Sequence, residues 1–587
     1  MRRAITMENK VFYCEIDATE AAIRSAIEQS RKYGNVIQKE IRLRPGICHL
    51  SAPIALDERD TGLTLRGSGK QECCLDCGTE ITGWSKRPDL LWECEIPKGI
   101  EPRMLAKIID GKLEIRERSC YPSNGTLTNL DKTDVQWMSS QFGGWNRKPS
   151  IEERSRMTVR PDDLPPSFSV ENAEITQFHI WDESTTLVKS YNPQDGVIQF
   201  ASPAEHPAGA FDRHGYVIRN TMAGMEKPGC WMFDRTASKI IYHPLPDEEA
   251  TGPQDYRIPV LENAIHISGT TNITLDNLTI RGANSNTMTP GLRAINPPGA
   301  IYADKSTSLT LSNIRILQCA GQAIKTMQCK ELHISNCTIS DCGAGGILCM
   351  ESMPATIEDN TIFRIGRLNY SAPAITAGGK SLLVYVQDGS VPEEDSCLVK
   401  NNIIEDAPYC GICCCGGPHC IEGNTVSNVM LKLHDGGAIY VSRGYKTVLR
   451  GNKAYKIGSL EDSTCHAYYL DELSCDCLVE NNIALECVSP FHAHKSVDCT
   501  LRSNRFFSSS ALKMGFLNCC NYHLLGNVMM AMKKITFYNM NEHVFAERND
   551  EVYSPEGPCE FLPVTWHQPD FAFVRTADGQ VDFIQHP

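Results

Sequence analysis

No run of 18 apolar residues occurs anywhere in the chain, so no membrane-spanning helix is expected. The N-terminus, MRRAITMENKVFYCEID, lacks the apolar core and small-residue cleavage site of a signal peptide. The expected compartment is therefore the cytoplasm. Positive charge is also short. The chain has 57 Lys and Arg against 71 Asp and Glu, a net charge of −14. Nucleic-acid binders carry a basic face, so neither DNA nor RNA is an expected partner. Cysteine, in contrast, is abundant: 27 residues, an odd number. With no export signal they read as reduced thiols rather than disulfides. The 587 residues, 41% of them hydrophobic, can form two or three domains or one long repetitive one.

Helical periodicity is missing beyond residue 270, and a short phrase recurs instead: apolar, polar, polar, Asn, apolar. Examples are LDNLTI, ISNCTI, EGNTVS and ENNIAL. The Asn residues are 277, 313, 336, 360, 402, 424, 452, 482, 504 and 527, at intervals of 36, 23, 24, 42, 22, 28, 30, 22 and 23. A fixed period with occasional insertions marks a solenoid. Coils of this length, built from short strands, predict an all-β fold, a right-handed parallel β-helix. Asn suits the turns, because it tolerates left-handed backbone and its amide can bond along a ladder. All ten Asn residues are expected in one column, as scaffold.

Upstream, DATEAAIRSAIEQSRKYG (17–34) predicts a helix with Asp17 as N-cap, Glu20 completing a capping box and Gly34 ending it. Such a helix can plug the open end of a solenoid. The expected division is 1–80 for this cap and the first rungs, 81–259 for an inserted, mostly antiparallel β domain, and 260–545 for the β-helix with the active site. Residues 546–587 are expected to form a hairpin and tail, turning at Asp578-Gly579.

Two stretches bring carboxylates beside similar strands: HDGGAIYV (434–441) and HAYYLDEL (466–473). Aligning Ala438-Ile439-Tyr440-Val441 with Ala467-Tyr468-Tyr469-Leu470 puts Ile439, Val441 and Leu470 inward, and Tyr440, Tyr469 and Asp471 outward. The intervals of 42, 28 and 30 cluster here, and long insertions on neighbouring coils make groove walls. Two carboxylates in an aromatic groove suit glycosidic cleavage, one protonating the leaving oxygen and the other activating water or attacking carbon. Mutual repulsion and low dielectric would raise one pKa. Asp435 and Asp471 are the candidate pair, with Glu472 the alternative acid. Sugar faces would pack on Tyr440, Tyr469 or Tyr409. His434, His466, His492 and His494, with Arg443 and Lys495, are candidate substrate contacts. The plain alternative is that both Asp residues only serve turns. On straight strands their offset of seven residues would separate them by about 23 Å, so a shared site needs Gly436-Gly437 to turn the chain. CGICCCGGPHC (410–420) has roughly ligand-like spacing in Cys410, Cys413, His419 and Cys420, yet Cys as a small inward filler fits the rung pattern better. No metal or cofactor is expected.

In order along the chain, RLRPGICHLSAPIAL, EITGWS, LWECEIP, IDGKLEIRERSCYPSNG, WMFDRTASKIIYHPLPDE, DGGAIYV, YYLDE and PFHAHKS resemble the bacterial β-helix glycoside hydrolases of family 141 and their uncharacterised relatives. The resemblance covers nearly the whole chain. It implies a right-handed β-helix with an inserted β domain, and α-L-fucosidase or xylanase activity on an oligosaccharide or small glycoside. It also implies that Asp435 and Asp471 are the catalytic carboxylates, with His494 following them. The absent export signal and the cysteine load depart from the family and favour small imported glycosides. Two other classes compete. A β-helix polysaccharide lyase or epimerase would act on uronates through His434, Arg443 or Lys495. A non-catalytic carbohydrate-binding β-helix would use neither Asp.

Overall fold

The computed structural model describes residues 2–6, 11–35, 38–109, 112–135, 137–139, 144–378, 396–540, 543–557, 559–563, 571–575 and 581–585. Short strands stack into a parallel β-helix with one continuous hydrophobic core. A typical coil runs Gly436–Ser442, Val448–Arg450 and Lys453–Ile457; the next runs Cys465–Asp471, Leu478–Glu480 and Ile483–Leu485. The first strand of each coil joins a 13-stranded sheet in which neighbouring rungs pair in parallel. Alternation of side chains sends one column inward. Ile347, Ile375, Ile412, Ile439, Tyr468 and Phe491 are successive register partners, each no more than 1% exposed.

The ten Asn residues occupy two adjacent columns, not one. Asn277, Asn313 and Asn336 have φ of 52 to 54° and sit exposed in the left-handed turn slot. In later coils that slot passes to Asp359, Asn401, Gly423, Gly451, Asn481, Ser503 and Gly526. The residue after it is then the fully buried Asn: 360, 402, 424, 452, 482, 504 and 527. From Asn402 onward each Oδ1 takes both the backbone N–H and an amide N–H of the preceding Asn in the column, as Asn452 does from Asn424 at 3.0 Å and 3.0 Å; Asn360, the first, accepts from the Cys337 N–H at 2.9 Å. The interval of 24 between Asn336 and Asn360 marks the switch. Left-handed backbone and ladder bonding are both present, but divided between two residues.

The cap helix spans Glu20–Arg31 and buries Ile23, Ala26 and Ile27 in the solenoid core. Its N-cap is Thr19, whose hydroxyl accepts from Ala22 N–H at 3.3 Å. Asp17 instead pairs with Arg44 at 3.0 Å. Glu20 is spent on Arg24 and Ser51. At the other end the parallel rungs continue past residue 545, through Phe545–Tyr553 and Cys559–Pro563. Strands Phe571–Arg575 and Val581–Gln585 pair antiparallel; the turn at Asp578-Gly579 lies outside the described residues. No helix among the described residues is long and apolar enough to cross a membrane.

The insertion closes on itself, its first strand Gly78–Ile81 pairing antiparallel with its last, Tyr256–Pro259. The interrupted coil resumes in register: Ile54 pairs Ile265 and Leu65 pairs Leu275. At this neck buried Asp76 is ion-paired with Arg257 at 3.0 Å and accepts from Arg281 at 2.8 Å. The insertion's antiparallel hairpin, Glu174–Phe178 with Glu183–Asn192, reaches the later coils. Its Ile180 carbonyl accepts from His434 N–H at 2.8 Å. Buried Glu183 accepts from the N–H groups of Tyr370 and Ser371 at 2.7 and 2.8 Å; burial, then Asp182, pushes its pKa up to about 8.

Candidate active site

Asp435 and Asp471 meet at one hydroxyl. Tyr469 Oη lies 3.2 Å from Asp435 Oδ1 and 3.2 Å from Asp471 Oδ1. Those two carboxylate oxygens are therefore no further apart than twice that distance. The seven-residue offset is absorbed in two places. Asp435 takes a left-handed backbone, φ 53°, just before Gly436-Gly437. Strict alternation also breaks one step later. His466 and Tyr469, three residues apart, meet edge to face at 4.8 Å, which regular pleating forbids. Neither glycine has room for a Cβ: one at Gly436 would lie 2.7 Å from the Tyr409 ring, and one at Gly437 2.9 Å from the His466 carbonyl.

The two carboxylates have opposite surroundings. Asp471 accepts from Tyr440 Oη at 2.6 Å and His494 Nδ1 at 2.9 Å as well as from Tyr469. Burial opposes its charge, but the hydrogen bond and charge of His494, then Tyr440, outweigh it and hold the pKa well below the carboxylate range. The Asp435 carboxylate has the Tyr469 hydroxyl beside it; burial, then repulsion from Asp471, raises its pKa to about 6. Both phenols stay protonated, burial and the neighbouring Asp charges raising their pKa well above the usual value. A phenol has one proton to give. The consistent arrangement has protonated Asp435 donating to Tyr469, and Tyr469 donating to ionised Asp471.

The rings of Tyr440 and Tyr469 meet edge-on, 5.1 Å between centroids at 87°, rather than stacking. They are 9% and 2% exposed, too little for a sugar to pack on, and act through their hydroxyls. Tyr409 is buried and donates to the Asp435 carbonyl at 3.1 Å, so it fixes the turn. The imidazoles of His466 and His492 stack at 4.4 Å, with Tyr538 beyond His492 at 6.0 Å. Burial lowers His466 to a pKa of about 3 and His492 well below its usual value; both are neutral walls beside the pair. His494 completes the cluster, and its Nε2 is buried with no hydrogen-bond partner. A substrate hydroxyl is the natural partner for such an atom.

Other expected residues sit elsewhere. Glu472 is buried and pairs with fully buried Lys495 at 3.2 Å, which removes it as a rival acid and Lys495 as a substrate contact. His434 bonds Asp462 at 2.5 Å. Arg443 occupies the turn after the strand, φ 55°, its N–H on the Glu472 carbonyl at 2.9 Å. Arg293 and Tyr538 were not foreseen. Tyr538 follows the last Asn repeat, and Arg293 belongs to the first stretched interval, the one signal that pointed to it.

The four cysteine-cluster residues diverge. Cys410 Sγ accepts from Gly437 N–H at 3.3 Å, and His419 Nε2 meets the Cys415 carbonyl at 2.9 Å. Cys414 fills the inner column beside Val441, but Cys413 and Cys415 pair with Tyr440 and Ser442 on the outer face, so these two are not inward fillers. All 27 cysteines are free thiols. One set among the described residues has metal-ligand character: His434, Asp462 and Cys465, with ligand atoms within 4.8 Å of one another. Two of them, His434 Nδ1 and Asp462 Oδ2, are hydrogen-bonded to each other at 2.5 Å.

A family model described as "Right handed beta helix region" matches residues 260–385 and 376–529. The solenoid is right-handed. No curated protein matches the chain. Among solved structures, one called "Glycoside hydrolase" shares 12% identity over 93% of this chain and 96% of its own, with a TM-score of 0.55. XylC in complex with xylose shares 11% over 97% and 88%, TM-score 0.47. A GH136 lacto-N-biosidase from Eubacterium ramulus shares 10% over 93% and 68%, TM-score 0.38. At these identities the likeness concerns the fold.

Proposed function

We propose that the protein is a glycoside hydrolase of oligosaccharides or small glycosides, with Asp435 as general acid and Asp471 as nucleophile or base. The observation that carries this reading is the pair itself: two carboxylates bridged by one tyrosine hydroxyl, 3.2 Å from each, with pKa values pushed in opposite directions. Groups so separated can divide acid and base work near neutral pH. Asp435, kept protonated to about pH 6, gives its proton to the departing glycosidic oxygen. Asp471, ionised and held by His494 and two tyrosines, faces the anomeric carbon. Inverting enzymes keep roughly 6.5–9.5 Å between the carboxylates for a water, retaining ones about 5–5.5 Å. The ceiling of twice 3.2 Å bounds one oxygen of each carboxylate and is compatible with both geometries, so the anomer of the product decides between attack by Asp471 and attack by water. Fucosidase- or xylosidase-like specificity follows the sequence resemblance, and the solved structure called "Glycoside hydrolase", which shares the fold over nearly both chains, is in keeping with this class.

The test is a panel of aryl glycosides in both anomeric forms, led by α-L-fucoside and β-xyloside, with the product anomer followed by NMR. Turnover lost in both Asp435→Asn and Asp471→Asn supports the assignment. Hydrolysis that survives either change removes it. An unsaturated product absorbing near the ultraviolet edge would replace it with a lyase.

A further inference from the structure

The connection from Thr279–Arg281 to Gly299–Asp304 does not stay on its own rung. It lies along the outer face of the 13-stranded sheet. Gln322 Nε2 donates to the Ala294 carbonyl at 2.6 Å, and Lys325 Nζ to the Ile295 and Pro297 carbonyls at 2.7 and 3.1 Å. From there Arg293 reaches Cys415 Sγ at 2.7 Å and Ser442 Oγ at 3.4 Å. Those residues lie four and five strands beyond Gly299–Asp304, the strand that the loop leads into, about 19 and 24 Å at the usual strand spacing. Ser442 is the register partner of Asp471 on the neighbouring rung. The guanidinium also sits over the Tyr440 ring, 5.4 Å from its centroid, and Tyr440 holds Asp471.

This placement is costly on two counts. Arg293 and Ala294 have φ of 57 and 50°, a region that non-glycine residues enter only under strain. Arg293 is half-buried; its guanidinium has a thiol, a hydroxyl and a ring face as partners, and no carboxylate among the described residues pairs with it. A buried charge is normally matched by an opposite one, and strain clusters where function requires it.

We propose that Arg293 is an anion subsite for a substrate carboxylate, so that the substrate is an acidic glycan with a uronic acid residue next to the scissile bond. The planar guanidinium matches a carboxylate with two parallel N–H bonds, and Ser442 adds a hydroxyl beside it. The inference rests on the hydrolase reading of the same site and narrows its substrate class. The competing role is internal. Hydrogen bonding from Cys413, then the charge of Arg293, draws the Cys415 thiol well below its ordinary range despite burial, so Arg293 could instead serve only as counter-ion to that sulfur.

Matched sugars decide between these. Xylose and glucuronic acid differ only in the carboxylate at C5, as do arabinopyranose and galacturonic acid. The ratio of kcat/KM for the acidic over the neutral aryl glycoside is measured for the unaltered protein, Arg293→Gln and Arg293→Lys. The same proteins are titrated with glucuronate and galacturonate by saturation-transfer NMR. We expect an acidic member to be preferred. Arg293→Gln should cut that preference about ten- to a hundredfold, the range for a charge-assisted pair, with Lys restoring part of it. Uronate binding that depends on Arg293 without hydrolysis of any glycoside keeps the subsite and removes the hydrolase reading. Hydrolysis of neutral glycosides, with no uronate binding and a ratio indifferent to Arg293, keeps the hydrolase and overturns the subsite. Loss of Cys415 alkylation in Arg293→Gln with no change in the ratio also overturns it, leaving Arg293 to the sulfur.

Discussion

The Asn corner and the carboxylate face belong to the same coils, and they are built on opposite rules. At the corner, seven buried Asn residues repeat one bonding pattern, rung after rung, with donors and acceptors matched. On the face, successive rungs present Cys413, Tyr440, Tyr469 and His492 in one column, and no two neighbouring environments are alike. The face also keeps the open ends: the partnerless Nε2 of His494, an acid whose pKa is raised to about 6 and, in Arg293, a cation with no carboxylate partner among the described residues. In a solenoid, repetition satisfies the backbone, and the rung that departs from repetition is free to do chemistry.

The strongest way to break this contrast is to neutralise the face. Asp435→Asn and Asp471→Asn should each lower turnover at least about a hundredfold, the low end for losing a general acid or base, with the circular dichroism spectrum unchanged. They should also differ from each other. A leaving group that departs without protonation, such as dinitrophenolate, should rescue Asp435→Asn and leave Asp471→Asn inactive. Equal loss on every leaving group would cancel the division of roles.

The corner should respond in stability instead. Asn452→Ala orphans the Asn424 donors and the Ile421 carbonyl, each costing roughly 1–3 kcal/mol when buried. A loss of several kcal/mol in urea denaturation is expected. Asn313→Ala, in the exposed turn slot, should cost only about 1 kcal/mol, the penalty of left-handed backbone without Asn. Equal costs would mean that the two columns are not distinct.

A smaller effect joins both regions through pH. Activity should fall as pH rises through about 6, where Asp435 loses its proton, and hold at acidic pH until Asp471 is protonated, well below the usual carboxylate range. The same ionisation weakens the fold. Asp435 binds its proton more tightly folded, at about 6, than unfolded, at about 3.9, so its contribution to stability is full below the lower value and lost as pH rises through the higher. Asp435→Asn should then be more stable than the unaltered protein at pH 8, by roughly 3 kcal/mol, and no different at pH 3. A stabilised but inactive variant would show that the face trades stability for chemistry; a destabilised one would refute the raised pKa.

The solenoid was legible before any coordinates, because β-type runs recurring at a short, steady period have few other ways to bury their apolar positions. So was the rung register: Ile439 against Tyr468 and Tyr440 against Tyr469 follow from alternation alone, and the structure pairs them so. The candidate carboxylates stood out because each borders a tyrosine-bearing strand on a stretched coil. Their distance did not. Straight strands place them about 23 Å apart, and only the left-handed turn at Asp435 and the broken alternation beside Ala438 and Ala467 bring both to Tyr469. The roles of neighbours were equally hidden. Glu472 and His494 are both polar residues beside the site in the sequence, yet one is turned to Lys495 and the other to Asp471. Arg293 lies 178 positions before Asp471 in the chain, and nothing local announces that its loop runs along the sheet. Periodicity reports what every coil must repeat. What a single coil does once depends on contacts between distant segments, and those are set only when the rungs stack.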